Sequence, residues 1–271
     1  MAKNQVESSK STMFEKFMPI LLVVSIGLAF MVGVLWQKVS NLEKGGVTTT
    51  GTQQAAQPVA TKVTLDMIKD VFSKDLIKFG DANKKVLFVE IGDPSCPFCH
   101  AASGANHTIF SALGGTSFKL VADGGSYVAP VTEMHKLVEA GKASFAYIYY
   151  PGHGSGEMAM KALYCAQEKG KFWEAHDLLM SDKGYELQNT TVKNDKAQSG
   201  KVADFLKSAV DATFLKSCLD SGKYDARLTS DQSLAVTLGV QGTPGFFVNE
   251  SSYPGAYNWT DMKAAVETLL K

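Results

Sequence analysis

The sequence predicts an α/β protein, a sheet carrying a helical insertion, preceded by one membrane-spanning helix. Three observations predict it. An uncharged apolar run occupies Phe17 to Trp36, short β-type runs alternate with helix-period segments, and a long helical stretch precedes a closing strand and helix. The whole chain has 271 residues, 45% hydrophobic and 20% charged. That is too apolar for disorder and too charged for a multispanning membrane protein. Lysine plus arginine and aspartate plus glutamate number 27 each, so the net charge is zero. This balance argues against nucleic-acid binding as the main function. Four cysteines are too few for a disulfide scaffold, so their spacing matters more than their number.

Residues 17–36 read FMPILLVVSIGLAFMVGVLW. At about 1.5 Å per residue a helix of this length reaches about 30 Å, the thickness of a bilayer core. Lys16 and Lys38 bracket the run, and Trp36 stands where an interfacial aromatic belongs. A cleaved signal peptide would carry a shorter apolar region, about 7–15 residues, and a small-x-small cleavage site. None follows closely, so an uncleaved anchor is expected. Lys3, Lys10 and Lys16 precede the run and Lys38 and Lys44 follow it. The excess favours 1–16 as a cytoplasmic tail and an extracytoplasmic body, in the periplasm or at the outer cell surface. Residues 37–62, rich in Gly, Thr, Gln and Ala without periodicity, read as a flexible linker.

The folded body is expected over 63–271. Leu65 to Phe79 has a helical period. Lys85 to Ile91 (KVLFVEI) is a buried-strand run that ends in Gly92-Asp93-Pro94. Then come Cys96-Pro97-Phe98-Cys99-His100 and AASGANHTIFSAL, read as a helix. Phe118 to Ala122 (FKLVA) predicts a strand, Val131 to Ala140 a helix, and ASFAYIYY at 143–150 a strand. Met158 to Leu219 is helical in pattern apart from a polar interruption at Gln188 to Ser199, which places a helical insertion at about 157–232. Leu238 to Asn249 reads as a turn into a strand, and a last helix starts near Trp259 with Thr260 as N-cap.

Two cysteines three apart at a helix start have four uses: a redox cycle, half a zinc site, haem attachment, or structure. Zinc needs a second ligand pair at similar spacing, and none exists. Adjacent pairing closes too short a loop to stabilise much. Haem is the serious rival, because C-P-F-C-H fits C-x-x-C-H with His100 as an axial ligand. Against it, this pair follows an apolar strand rather than lying in a compact helical chain. Redox chemistry fits the surroundings, since unpaired N–H groups at a helix start stabilise a thiolate. Cys96 is then the exposed nucleophile and Cys99 the shielded, resolving thiol. Pro97 at the first helical position sacrifices no needed hydrogen bond.

Four segments carry a resemblance: FVEIGDPSCPFC, FWEAHDLLM at 172–180, CLDSGKY at 218–224, and LGVQGTPGFFVN. Over roughly Lys85 to Lys271 the chain resembles the DsbA-like branch of the thioredoxin-fold thiol–disulfide oxidoreductases. The resemblance implies a thioredoxin-like fold and a cycling Cys96–Cys99 disulfide, with no cofactor and no metal beyond it. It implies that Pro244 is cis beside the pair, with Thr243 offering its backbone to an extended substrate and Pro97 and Phe98 facing that substrate. Relatives carry an acid at the position of Glu90, implying a proton relay; the bland alternative is a surface glutamate on an alternating strand. His100 is expected to tune the thiolate if charged. Phe98 stands where the strongest oxidants of the family have histidine, so Cys96 is expected to be less acidic than the value of about 4 or below found in those enzymes.

The implied activity is oxidation of unfolded or partly folded exported proteins, with reoxidation by a quinone-linked thiol oxidase of the membrane. The alternatives are a reductase or isomerase of the same fold, or a tethered binding module or chaperone. About twenty-five residues near Ser111 to Val138 depart from the family pattern and are expected to reshape the substrate-facing surface.

Cys165 and Cys218 remain as each other's partners, and an exported domain permits a bridge; two buried free thiols are the alternative. Asp93 reads as a structural turn residue, His176 as a packing residue, and Gly152 to Gly156 as a flexible loop rather than a phosphate site.

Overall fold

A computed structural model describes residues 62–271. The expected tail, membrane span and, save Lys62, linker lie outside the described residues. Among the described residues no helix is long and apolar enough to cross a membrane.

The helix predicted over Leu65 to Phe79 is shorter: α1 spans Leu65–Val71, capped by the Thr64 side chain. Ile77–Phe79 is instead strand β1. The apolar spacing was shared between two elements that serve different cores: Ile68 and Val71 of α1 pack on one face of the sheet, and Ile77 and Phe79 of β1 on the other. Strand β2 is Val86–Gly92, and Pro97–Ser103 is helix α2. The helix expected to run on through AASGANHTIFSAL breaks at Gly104, which adopts a left-handed φ of 80°. A Cβ there would overlap Ala129 and Thr132, so glycine alone fits. A second short helix, α3, follows at Ile109–Ala112.

The strand expected at Phe118 to Ala122 is absent. That segment holds a single bridge, Leu120 to Tyr127, and a 3₁₀ turn at Val121–Asp123. Two Gly residues at 124–125 reverse the chain too soon for a ladder to form. Helix α4 is Pro130–Glu139 and strand β3 is Ala143–Tyr149. The insertion comprises α5 (Glu157–Gln167), α6 (Phe172–Leu179), α7 (Asp182–Glu186), α8 (Ser199–Phe205), α9 (Ala212–Asp220) and α10 (Asp225–Thr237). It therefore runs five residues past the expected end. The polar interruption holds a π turn at Leu187–Val192 and a 3₁₀ turn at Lys196–Gln198. Strand β4 is Gly245–Val248, and β5, Ser251–Pro254, was not anticipated, being mostly exposed and polar. Asn258, not Thr260, caps the final helix α11, Trp259–Leu270, by accepting from the Thr260 N–H.

The five strands lie in the order β1-β3-β2-β4-β5, with β2 and β3 parallel and the other neighbours antiparallel. Alternation divides the side chains of the central strands. Leu87, Val89, Ile91, Ala146 and Ile148 pack with Ile68 of α1 and Ala235 of α10. Val86, Phe88, Phe145 and Tyr147 pack on the other face with Met134, Phe172 and Trp259. Helices on both faces bury the parallel pair completely, which is why β2 and β3 read as continuous apolar runs. A disulfide joins Cys165 of α5 to Cys218 of α9, with Cα atoms 6.2 Å apart.

Candidate active site

The end of β2 delivers the chain to the edge of the sheet at Gly92, and Asp93 turns it. Asp93 is fully buried, and its carboxylate is saturated. Oδ1 accepts the N–H and hydroxyl of Ser95, each at 2.8 Å. Oδ2 accepts the N–H groups of Gly152 and His153, also at 2.8 Å. Asp93 thus staples the turn before the cysteines to the loop after β3. That loop, expected to be merely flexible, packs against the site: a Cβ on Gly152 would overlap the Thr243 hydroxyl.

Cys96 is the N-cap of α2, with Pro97 in the first turn. It is 4% exposed, against 0% for Cys99, so the expected exposed nucleophile is instead tucked in. Met180 packs against both cysteines. The Cys96 Sγ lies 3.4 Å from the carbonyl oxygen of Thr243. The Thr243–Pro244 peptide is cis, as the resemblance implied. The Cys99 Sγ accepts the Asp93 N–H at 3.4 Å. The two thiols differ in acidity. A hydrogen bond from Cys99, with the Cys99 and Phe98 N–H groups, outweighs burial and brings the Cys96 thiol down to about 6. Burial and the neighbouring Cys96 push the Cys99 thiol well up. One sulfur is an anion near neutral pH and the other is held protonated.

Phe98 is 41% exposed and stacks edge-on with Phe118 at 5.5 Å, which in turn meets Tyr127 at 5.3 Å. Phe118 and Tyr127, from the stretch expected to reshape the substrate-facing surface, thus back the exposed Phe98 ring with a row of aromatics. Glu90 is fully buried and neither carboxylate oxygen has a partner. Burial raises its pKa to about 8, so it is a neutral acid at pH 7 and not a surface glutamate.

His100 does not supply the charge expected of it. Its ring is fully buried, with Nδ1 2.9 Å from the Met180 carbonyl oxygen and Nε2 2.8 Å from that of Pro94. The two carbonyls favour the imidazolium, but burial outweighs them and lowers the pKa to about 4. The neutral ring donates to one carbonyl at a time and ties the active-site turn to the insertion. Both nitrogens face carbonyls, so neither is free to ligate a haem iron. His176 packs between Phe172 and Trp173, as expected of a core residue.

Sequence reasoning missed Ser95, Tyr127, Tyr147 and Met180. Aligning ASFAYIYY in parallel with KVLFVEI was the one signal available for Tyr147. The others come from loops and helices whose approach no local pattern records.

The thioredoxin family model matches residues 131–268, from α4 to the last helix; the Cys96–Cys99 pair precedes the matched stretch. The Na(+)/H(+) antiporter NhaA 1 of Salinispora arenicola is 28% identical over 191 residues, 69% of this chain and 24% of the antiporter. The chain thus spans about a quarter of that relative's length. Disulfide bond formation protein D of Bacillus subtilis is 23% identical over 198 residues, 71% of this chain and 76% of that protein. Among solved structures, oxidised BdbD from Bacillus subtilis superposes with a TM-score of 0.51 at 21% identity, covering 72% of this chain and 92% of BdbD. At that identity the likeness concerns the fold.

Proposed function

Because the chain belongs to the thioredoxin family, we propose that it is a membrane-anchored, extracytoplasmic thiol–disulfide oxidoreductase that forms disulfides in exported proteins. The observation that carries this is the geometry of one cysteine pair: Cys96 caps α2 with its sulfur 3.4 Å from the Thr243 carbonyl at the cis Pro244, and Cys99 is wholly buried behind it. A thiolate of a substrate dithiol attacks Sγ of Cys96 in the oxidised pair and expels Cys99, which takes up a proton. The second substrate thiolate then attacks the substrate sulfur of the mixed disulfide and expels the Cys96 thiolate. The substrate leaves oxidised by two electrons and the Cys96–Cys99 pair is left reduced.

Each neighbour has a part in this cycle. The Thr243 backbone and the cis Pro244 hold an extended substrate chain against Cys96. Pro97 and the exposed Phe98 offer it apolar contact. Glu90 is the proton source for Cys99. A quinone-linked thiol oxidase in the membrane reoxidises the pair, and the apolar run at 17–36 keeps enzyme and oxidase in one membrane. A low leaving-group pKa favours the reduced enzyme and hence oxidation of substrate; a value near 6 lies between thioredoxin, about 7, and the strongest oxidants, about 3.5. An intermediate reduction potential follows.

Trapping tests the proposal. Cys99→Ala should accumulate mixed disulfides through Cys96 in the native membrane, while Cys96→Ser should form none and lose exchange activity. If Cys99→Ala captures nothing while a known oxidoreductase treated alike does, the enzyme reading fails. A protein that keeps its partners as Cys96→Ser is a binder, not an oxidoreductase.

A further inference from the structure

Tyr147 is a buried polar group that the exchange scheme leaves unused. In the parallel pairing of β2 and β3 its Cα stands opposite that of Glu90, and in-register neighbours project to the same face of a sheet. Both residues are fully buried. The Tyr147 hydroxyl and both Glu90 carboxyl oxygens have no partner within the protein. The phenol reaches toward the active-site turn, because a Cβ built on Gly92 would overlap its hydroxyl. Gly92 immediately precedes Asp93, whose N–H meets the Cys99 sulfur. The two unpartnered groups therefore lie on one face of the sheet, behind the turn that meets Cys99. Buried polar groups are ordinarily paired, and unpaired ones mark strain or chemistry.

We infer that Tyr147 and Glu90 form one buried unit serving Cys99, in which the Tyr147 hydroxyl donates a hydrogen bond to the Glu90 carboxylate formed when Cys99 takes its proton. This rests on the exchange chemistry proposed above. The proton passes from the Glu90 carboxyl to the Cys99 thiolate; the phenol keeps its own and stabilises the charge left behind. Tyr147 is thus a positioning residue. The titratable groups facing Tyr147 and Glu90 are Cys96 and Cys99 from α2, Asp93 from the turn, Tyr127 from the loop before α4, and His176 from α6. The His176 ring lies 6.2 Å from that of Tyr147, and its Nε2 is also unpartnered. Burial, then the charges of Glu90 and Cys99, hold the phenol well above its usual range, so it acts only as a donor.

Tyr147→Phe in the full chain separates this role from a structural one. The variant deletes only an oxygen without a partner, so a structural role requires a loss of stability and a relay role does not. The expected result is a native fold, a Glu90 carboxyl titration moved up by about one pH unit, and a roughly tenfold slower reduction of the Cys96–Cys99 disulfide by dithiothreitol at pH 7. The thiolate titration of Cys96 should stay in place. In a Glu90→Gln background the same substitution should have no further effect. An unmoved titration and rate, an undiminished effect beside Glu90→Gln, or loss of the native fold would each overturn the inference. Absence of exchange by the unsubstituted protein is a separate outcome that defeats the proposed function instead.

Discussion

The Cys96 sulfur lies 3.4 Å from the carbonyl oxygen of Thr243, a residue 147 positions later in the chain. This contact brings together the two groups to which the proposed function assigns the roles of nucleophile and substrate-binding backbone. In the proposed cycle a substrate strand that pairs with Thr243 would arrive with its own sulfur beside Cys96. The carbonyl accepts from the Cys96 thiol, so the contact fixes where the sulfur sits, while the acidity of Cys96 comes first from the hydrogen bond of Cys99.

Reduced protein should therefore show a thiolate titration centred near pH 6, followed by absorbance at the ultraviolet edge or by alkylation rate. The folded pKa lies below that of an ordinary thiol, about 8.5. The linked stability of the reduced form is full above about pH 8.5 and is lost as the pH falls through 6. A midpoint above 8 would remove the acidity split on which the mechanism depends.

Glu90→Gln should stabilise the protein in a pH-dependent way. The carboxyl is raised to about 8 in the folded state, so between about pH 4.5 and 8 only the unfolded chain ionises it. Folding then takes up a proton, and stability falls as the pH rises through that window. The variant lacks this term. Its advantage should be near zero at pH 4 and roughly 3 kcal/mol at pH 7. Chemical denaturation at the two pH values measures it, and equal differences at both would contradict the burial of an ionisable Glu90.

Replacing Cys165 and Cys218 together by alanine should cost about 2–5 kcal/mol. The bridge spans 53 residues and fastens α5 to α9 within the insertion. Because neither sulfur belongs to the Cys96–Cys99 pair, exchange by the folded variant should persist at temperatures where it remains native. Thermal unfolding with and without reductant reads the effect; a reductant-insensitive midpoint in the unsubstituted protein would deny the bridge.

The strands that form the centre of the sheet were legible because they are buried on both faces. KVLFVEI and ASFAYIYY carry no polar alternation to confuse them with surface segments. The cysteine pair was legible because its chemistry is local in the chain, whereas the GTPG turn was placed beside it by the family resemblance, which the cis Thr243–Pro244 peptide matches. The end of α1 and the absent strand at Phe118 were not, since a few apolar residues fit either period until neighbours choose between them. Strand β5 gives no apolar signal, for its residues are largely exposed and it owes its pairing to β4.

The site divides along the same line. Spacing singled out Cys96 and Cys99 as a redox pair, the family resemblance pointed to the turn at Pro244, and the two remaining cysteines were left as candidate partners, which the structure joins. Packing assigned the properties of the groups around them. Glu90 became a neutral acid because the sheet buries it without a partner. His100 lost its charge because it is enclosed between Pro94 and Met180. The glycine loop after β3 became part of the site because Asp93 grips it. Covalent spacing is a property of the chain, whereas burial and partnership come from segments far apart in it, and pKa values follow the latter.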